Sequence, residues 1–343
     1  MINLYLSDIL NILDIKLDVN NVKINRIRTD SRLVSNNDIF ITINSGYNYI
    51  KNAKGKGCNI IITDINYIDD KLIIIRVNDT IKALGIIASY IRSKYNGTII
   101  AITGSCGKTT TKDLLTFILS SKYRVLSTKN SLNNHIGVPN TLLELDNSYD
   151  YVVLELGSNH IGEIKYLSDI VKPNISIITN VGYSHIGNFK TIENILKEKL
   201  SIGGLLFLNG EDKLLNKENG IKVYKKDYNY DVIEHLKINY YLVFRVCEYL
   251  GIDISYVLSI APNFKLNKSR MEIKKYNNIT LVDDSYNASY ESVVAGLLSL
   301  KQYNNSNELL NELNNKKLIV LNQDLLMKIN KEIKVKIIKF TLD

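Results

Sequence analysis

Residues 98–115 read TIIAITGSCGKTTTKDLL. A short β-branched run ends at Gly104. A helical pattern then opens at Lys108, with Leu114, Leu115, Ile118 and Leu119 as its apolar stripe. A strand that passes through a glycine turn into a helix is suited to holding phosphate. Gly104 and Gly107 let backbone N–H groups close around oxygens, and the helix N-terminus adds partial positive charge. Lys108 offers a point charge to the β- and γ-phosphates, and Thr109 a hydroxyl to Mg²⁺. The usual phosphate loop is spaced GxxxxGK[ST]. Here the spacing is GxxGKT, with Ile102 where the first glycine would stand, which makes it a shorter variant. An ordinary tight strand-to-helix turn is the competing reading.

Working outward, further strands are expected at 123–127, 151–156 (YVVLEL), 175–181 (ISIITNV) and 205–209 (LLFLN), with helices near 161–170 and 191–202 between them. Near-continuous apolar strands alternating with helices predict an α/β fold with a buried parallel sheet. Upstream, a helix-like start (Leu4, Ile9, Leu10, Leu13) leads to extended segments at 22–28, 38–43, 59–63 and 72–77. Helix 80–94 follows, with Ile81, Leu84, Ile87, Ala88 and Ile91 on one face. Downstream, a helix is expected near 232–250. A third unit begins near 270, with strand ITLVDD (279–284), helix 289–301 and strands 316–321 and 335–340. The expected domains are therefore 1–80, 81–265 and 266–343.

The 343 residues suit two domains, or three small ones. A hydrophobic content of 45% with 23% charged residues excludes a disordered or fibrous chain. Cys58, Cys106 and Cys247 lie far apart with no CxxC, so neither a disulfide framework nor a zinc ribbon is expected, and a reducing cytoplasm fits. The net charge of +8 suits a polyanionic small substrate as well as nucleic acid. The lysines are scattered, however, and read more readily as a solvated surface. Without a basic arm, no nucleic-acid partner is expected. The N-terminus lacks the basic start of a signal peptide, and no apolar run approaches the ~20 residues of a membrane helix, so no membrane association is expected.

Other polar residues fall where strands end. Glu155 closes an apolar strand, at the sheet edge where open α/β folds bind ligands. A carboxylate there needs a partner such as Mg²⁺, or else it is a surface acid at a strand terminus. His185 follows another strand end, where a lone histidine is more often structural. Lys199 lies on the next helix, where a lysine is more often simply solvated. Asp283 and Asp284 could hold a ribose or phosphate, or cap the following helix.

Five strings occur in the order found in the Mur ligases: TGSCGKTTTK (103–112), LNNHIGVPNTLLEL (132–145), ELGSNHIGEI (155–164), TNVGYSHIGNF (179–189) and DDSYNAS (283–289). They resemble most the branch that adds D-alanyl-D-alanine. RTDSRLVSNNDIFITI (28–43) resembles that branch's uridine-nucleotide domain. The resemblance implies a three-domain architecture with a central phosphate-loop parallel-sheet ATPase domain, a small N-terminal α/β domain and a truncated C-terminal α/β domain. It implies ligation through an acyl phosphate, with UDP-MurNAc-tripeptide and D-Ala-D-Ala as substrates, ATP and two Mg²⁺ ions as cofactors, and a cytoplasmic monomer making cell-wall precursors.

By the same resemblance, Gly104, Ser105, Cys106, Gly107, Lys108, Thr109 and Thr110 would hold the ATP phosphates. Thr109, Glu155 and His185 would ligate metal, together with Lys199 once CO₂ has carbamylated it. Asn239, in HLKIN (235–239), would lie beside adenine. Arg270, in SRME (269–272), and Asp284 would contact the nucleotide. Ser31 and Arg32 would contact the uridine diphosphate, and Asn133 and Asn134 would face the muramyl substrate.

The sequence also departs from the family pattern. Cys106 replaces an asparagine, Asn130-Ser131 a glycine-asparagine pair, and Ser289-Tyr290 an asparagine-proline pair. Gly187 and Ser201 stand where acids are expected. Little matches beyond Leu300, so a reduced dipeptide-binding lobe is expected. Two alternatives share these motifs: a folylpolyglutamate synthase relative, and a non-catalytic nucleotide-binding remnant.

Overall fold

The computed structural model describes residues 2–129 and 132–266, and the backbone of two strands at 272–276 and 279–283. Arg270, Asp284, the helix expected at 289–301 and the strands expected at 316–321 and 335–340 lie outside the described residues. The chain divides into two compact units. One comprises Met1–Thr103, Leu119–Ile177 and Leu200–Leu206; the other comprises Gly104–Ile118, Ile178–Lys199 and the chain from Phe207 onward.

The first unit opens with α1 (Leu6–Ile12), β1 (Ile27–Arg28), β2 (Ile39–Ile41), α2 (Ile50–Gly55), β3 (Ile60–Thr63) and β4 (Ile73–Arg76). The four strands form a parallel sheet in chain order, with Ile39 opposite Ile60 and Ile60 opposite Ile73. Phe40, Ile50, Ala53, Cys58 and Ile61 form a core on one side of it. The extended stretch expected at 22–28 contributes only its last two residues to the sheet. The reason lies in its backbone bonds: the Leu6 amide donates to the Val22 carbonyl at 2.9 Å, and the Ile24 amide to the Leu4 carbonyl at 2.8 Å. Helix α3 (Thr80–Ser93) begins where the Asp79 carboxylate accepts from the amides of Ile81 and Lys82, at 2.8 and 3.0 Å.

Next come β5 (Thr98–Thr103), α4 (Lys108–Ser120), β6 (Val125–Ser127), α5 (Gly137–Leu142), β7 (Tyr151–Glu155), α6 (Glu163–Val171) and β8 (Ile175–Ile178). They are followed by α7 (Ile186–Phe189), α8 (Ile192–Leu200), β9 (Leu205–Asn209), β10 (Ile221–Val223), α9 (Lys237–Tyr249) and α10 (Ile254–Ile260). The larger sheet has the order β10-β9-β8-β5-β7-β6, with β5 and β6 each parallel to β7, and β9 parallel to β10. Ile99 to Ile102, Val152 to Leu154, and Ile177 and Ile178 are fully buried. Their side chains point alternately to both faces, so both faces are covered, as the unbroken apolar runs require. Burying each such aliphatic side chain stabilises the fold by about 1.5–3 kcal/mol. In the first unit α3 packs against α1, α5 and α6.

Strand β8 stops at Ile178, three residues short of its expected end, because the polar groups of 179–181 turn to other partners described below. The last described elements, β11 (Glu272–Tyr276) and β12 (Ile279–Asp283), form an antiparallel hairpin with Glu272 opposite Asp283. Its first strand escapes sequence reading because EIKKY holds only two apolar positions. Among the described residues, no helix is long and apolar enough to cross a membrane.

Candidate active site

In the second unit, the loop between β5 and α4 has a geometry only glycine permits at its first position. Gly104 has φ +146°, and a Cβ there would lie 2.0 Å from Thr179 Oγ1. Gly107, at φ +80°, precedes the helix, and a Cβ there would come 2.8 Å from Asn239 Nδ2. Asn239 is therefore packed on the loop itself, 6% exposed in the first turn of α9. Helix α4 begins at Lys108, where the Thr111 amide and hydroxyl both donate to the Gly107 carbonyl at 2.9 Å. A helix directs its first amides out of its N-terminal end, here those of Lys108, Thr109 and Thr110. The Lys108 ammonium folds back over the loop, donating to the carbonyls of Gly104 (2.8 Å) and Ser105 (3.2 Å).

Residues 179–182 brace this loop. The Ser105 amide donates to the Asn180 carbonyl at 3.1 Å, and the Cys106 amide to Asn180 Oδ1 at 2.9 Å. Thr179 Oγ1 donates to the Cys106 carbonyl at 2.5 Å. Ser105 Oγ accepts from the Gly182 amide and donates to the Gly182 carbonyl. The brace is itself held: Asp212 accepts from the Val181 amide at 2.7 Å, and Asn209 Nδ2 donates to the Thr179 carbonyl at 2.9 Å. The amides of Ser105 and Cys106 thus shape the loop, while those of the first helical turn point out of it. Sequence reading singled out the string containing Thr179 and Asn180 but assigned them no role. Their polarity at a strand's carboxyl end is the available signal.

Also in this unit, Lys199 is 4% exposed on α8, with Nζ 6.0 Å from the centre of the Phe189 ring. Its burial excludes the solvated-lysine reading. His185 is exposed and adopts a left-handed φ of +58° as it opens α7. That is neither the setting of a core histidine nor a relaxed one. Non-glycine residues at such a φ cost on the order of 1 kcal/mol and gather at functional sites.

Glu155 ends β7 in the first unit. It pairs in register with Ile102, two residues before Gly104, and is 2% exposed. Its Oε1 accepts from Asn133 Nδ2 at 2.7 Å, and its amide donates to Thr128 Oγ1 at 3.0 Å. Its Oε2 is buried with no hydrogen-bond partner among the described residues. A buried carboxylate oxygen left in this state fits a cation ligand, so the donor chemistry here suits Mg²⁺. Among the described residues, no three His, Cys, Asp or Glu side chains gather as a metal cluster.

The remaining candidates divide. Asn134 Oδ1 accepts from the amides of Ile136 and Gly137 at 3.1 and 2.9 Å, capping α5. Ser31 is buried, whereas the Arg32 side chain is 82% exposed and forms a two-pronged pair with Asp30, Nε to Oδ1 at 2.9 Å and Nη2 to Oδ2 at 2.7 Å. The Arg32 hydrogen bond holds the Asp30 carboxyl below its ordinary 3.8, at about 2. Because the folded value is depressed, the pair's contribution is complete above about pH 4 and disappears as pH falls through 2. At this exposure the stabilisation is small. A carbon-13 titration of Asp30 is expected to show a midpoint near 2, returning to the ordinary range in Arg32→Ala.

Residues 102–244 match the Mur ligase middle domain. The chain is 38% identical over 145 residues to the UDP-N-acetylmuramoyl-tripeptide–D-alanyl-D-alanine ligase of Buchnera aphidicola subsp. Baizongia pistaciae (strain Bp), covering 41% of this chain and 32% of that protein. It is 33% identical over 162 residues to the enzyme of the same name from Escherichia coli (strain K12), covering 46% and 36%. These matches span about a third of the relatives' length. The fold is similar to a crystal structure of MurF from Acinetobacter baumannii, with a TM-score of 0.77 and 26% identity over 88% of this chain and 77% of that one.

Proposed function

We propose that this chain, whose residues 102–244 match the Mur ligase middle domain, is an ATP-dependent ligase that joins D-alanyl-D-alanine to UDP-MurNAc-tripeptide. The observation that carries the reading is Glu155. It is a buried carboxylate with one oxygen unpartnered among the described residues, in register with the strand that opens the Gly104–Lys108 loop.

A free carboxylate does not accept an amine, because hydroxide would have to leave. Transfer of the γ-phosphoryl group to the tripeptide's terminal carboxylate oxygen gives ADP and an acyl phosphate. The dipeptide's amino nitrogen then bonds to the acyl carbon, the carbon–oxygen bond to phosphate breaks, and the amine loses its proton. The chain's own residues chiefly hold and align groups. The amides at the start of α4 and the Lys108 ammonium bind the phosphates, and Asn239 fixes the loop from behind. Thr109, Glu155, His185 and a carbamylated Lys199 would hold Mg²⁺, which offsets charge gathering on the transferred group. Three domains, with boundaries near 80 and 265, would each present one substrate. Ser31 and Arg32 would serve the uridine diphosphate, and the role of Arg270 and Asp284 would be at the nucleotide. The reaction belongs to the cytoplasm, where ATP and the soluble precursor are found.

The test measures phosphate release and pentapeptide formation with ATP, UDP-MurNAc-tripeptide and D-Ala-D-Ala. Turnover requiring all three is expected. Nucleotide binding without turnover would replace this reading with that of a binding protein.

Lys199 gives a separate check. A buried amine whose nitrogen bonds CO₂ and releases a proton becomes an anionic oxygen ligand. Protein equilibrated with carbon-13 bicarbonate is expected to show a carbamate carbon signal that is absent in Lys199→Ala. That variant is expected to lose most activity and to regain part of it with short carboxylates. A wild type without the signal would remove Lys199 from the metal centre.

A further inference from the structure

We infer that Asn133 is a positioning residue for the Glu155 carboxylate, fixing one oxygen so that the other faces a divalent cation. The inference rests on the proposed metal role of Glu155. It changes the assignment of Asn133, which the motif resemblance points toward the muramyl substrate.

Four contacts carry it. Asn133 Nδ2 donates to Glu155 Oε1 at 2.7 Å, a charge-assisted distance. The Asn133 carbonyl accepts from the Gly157 amide at 2.8 Å, which ties the asparagine's backbone to the chain just beyond β7. The Asn133 carboxamide packs into the space that a side chain at residue 157 would fill: a Cβ there would lie 2.9 Å from Asn133 Cγ and Oδ1, and 3.0 Å from Nδ2. The neighbouring Asn134 caps α5 through its own carboxamide, so the helix start holds the Asn-Asn pair in place. Glu155 Oε1 therefore accepts from a donor whose own position is fixed. With Oε1 held, Oε2 is the buried oxygen left without a hydrogen-bond partner among the described residues. A donor that pins one carboxylate oxygen selects which lone pairs remain for a cation, and partners of this kind tune metal affinity.

The two roles for Asn133 separate cleanly. A substrate contact affects binding of the UDP-substrate and is silent when that substrate is absent. A positioning contact affects metal affinity with no UDP-substrate present. The probe is Mn²⁺, titrated into the full chain with ATP and followed by electron paramagnetic resonance, in wild type, Asn133→Leu and Gly157→Ala. The first variant keeps the shape and removes the donor; the second keeps the donor and displaces it. Both are expected to bind Mn²⁺ on the order of 10-fold more weakly than wild type. In turnover assays the Asn133→Leu deficit is expected to appear as a raised Mg²⁺ requirement, with kcat largely recovered at saturating metal. Unchanged Mn²⁺ affinity in Asn133→Leu, with a raised KM for UDP-MurNAc-tripeptide, would overturn the inference and leave the metal role of Glu155 standing. A wild type that binds no Mn²⁺ with ATP would overturn both.

Discussion

Lys108→Ala will lose at least on the order of 10²-fold in ATP turnover while keeping its fold. Its ammonium lies over the loop, 2.8 Å from the Gly104 carbonyl. Removing one fixed charge from a phosphoryl-transfer site costs about that much, because nothing else in the loop supplies a full positive charge as negative charge develops. The structural loss is smaller. Two carbonyls lose a donor at a half-buried position that water can reach, which costs on the order of 1 kcal/mol. Lys108→Arg is not expected to restore the rate, since a planar fork does not occupy the place of a compact ammonium. Phosphate release and thermal melting, measured together, check this. A fully active Lys108→Ala protein would end the phosphate-loop assignment.

Glu155→Gln will separate stability from activity. The wild-type carboxylate is 2% exposed with one oxygen unpartnered among the described residues, an arrangement that costs folding free energy when no cation is bound. Glutamine keeps the shape and the acceptor for Asn133 and removes the charge. Without divalent metal the variant is expected to melt higher than wild type, by a margin corresponding to about 1–3 kcal/mol. With Mg²⁺ and ATP the order reverses, because only wild type gains from binding. Activity is expected to fall steeply, with partial recovery at high Mg²⁺. Equal activity in the two proteins would make Glu155 a strand-end acid with no metal role.

The sequence reveals the strand–turn–helix at 98–120 because every local signal there agrees: an unbroken apolar strand, two glycines and an amphipathic helix. Glu155 is legible for a similar reason, as a lone charge in an apolar run. Other features depend on tertiary approach. Lys199 sits beside Glu198, and both are buried, so periodicity alone turns α8 the wrong way at its last turn. Thr179 and Asn180 continue an apolar strand on paper, and only the nearness of the loop draws their hydrogen bonds away. Asn133 and Asn134 are neighbours of one residue type, yet one reaches Glu155 and the other caps a helix. No sequence pattern distinguishes them.

The brace beneath the phosphate loop bears on how nucleotide is captured. Ser105 and Cys106 are tied to Asn180, and the segment bearing Asn180 is tied in turn to Asn209 and Asp212 at the end of β9. The loop's shape is therefore settled when the chain folds, not when ligand arrives. On the proposed reading, nucleotide would meet a receptor already shaped by these bonds and would lose little conformational entropy on binding. Loosening the brace, as in Asn180→Ala, should appear first as slower capture and a larger entropic penalty in calorimetry, even though residue 180 itself need touch no phosphate.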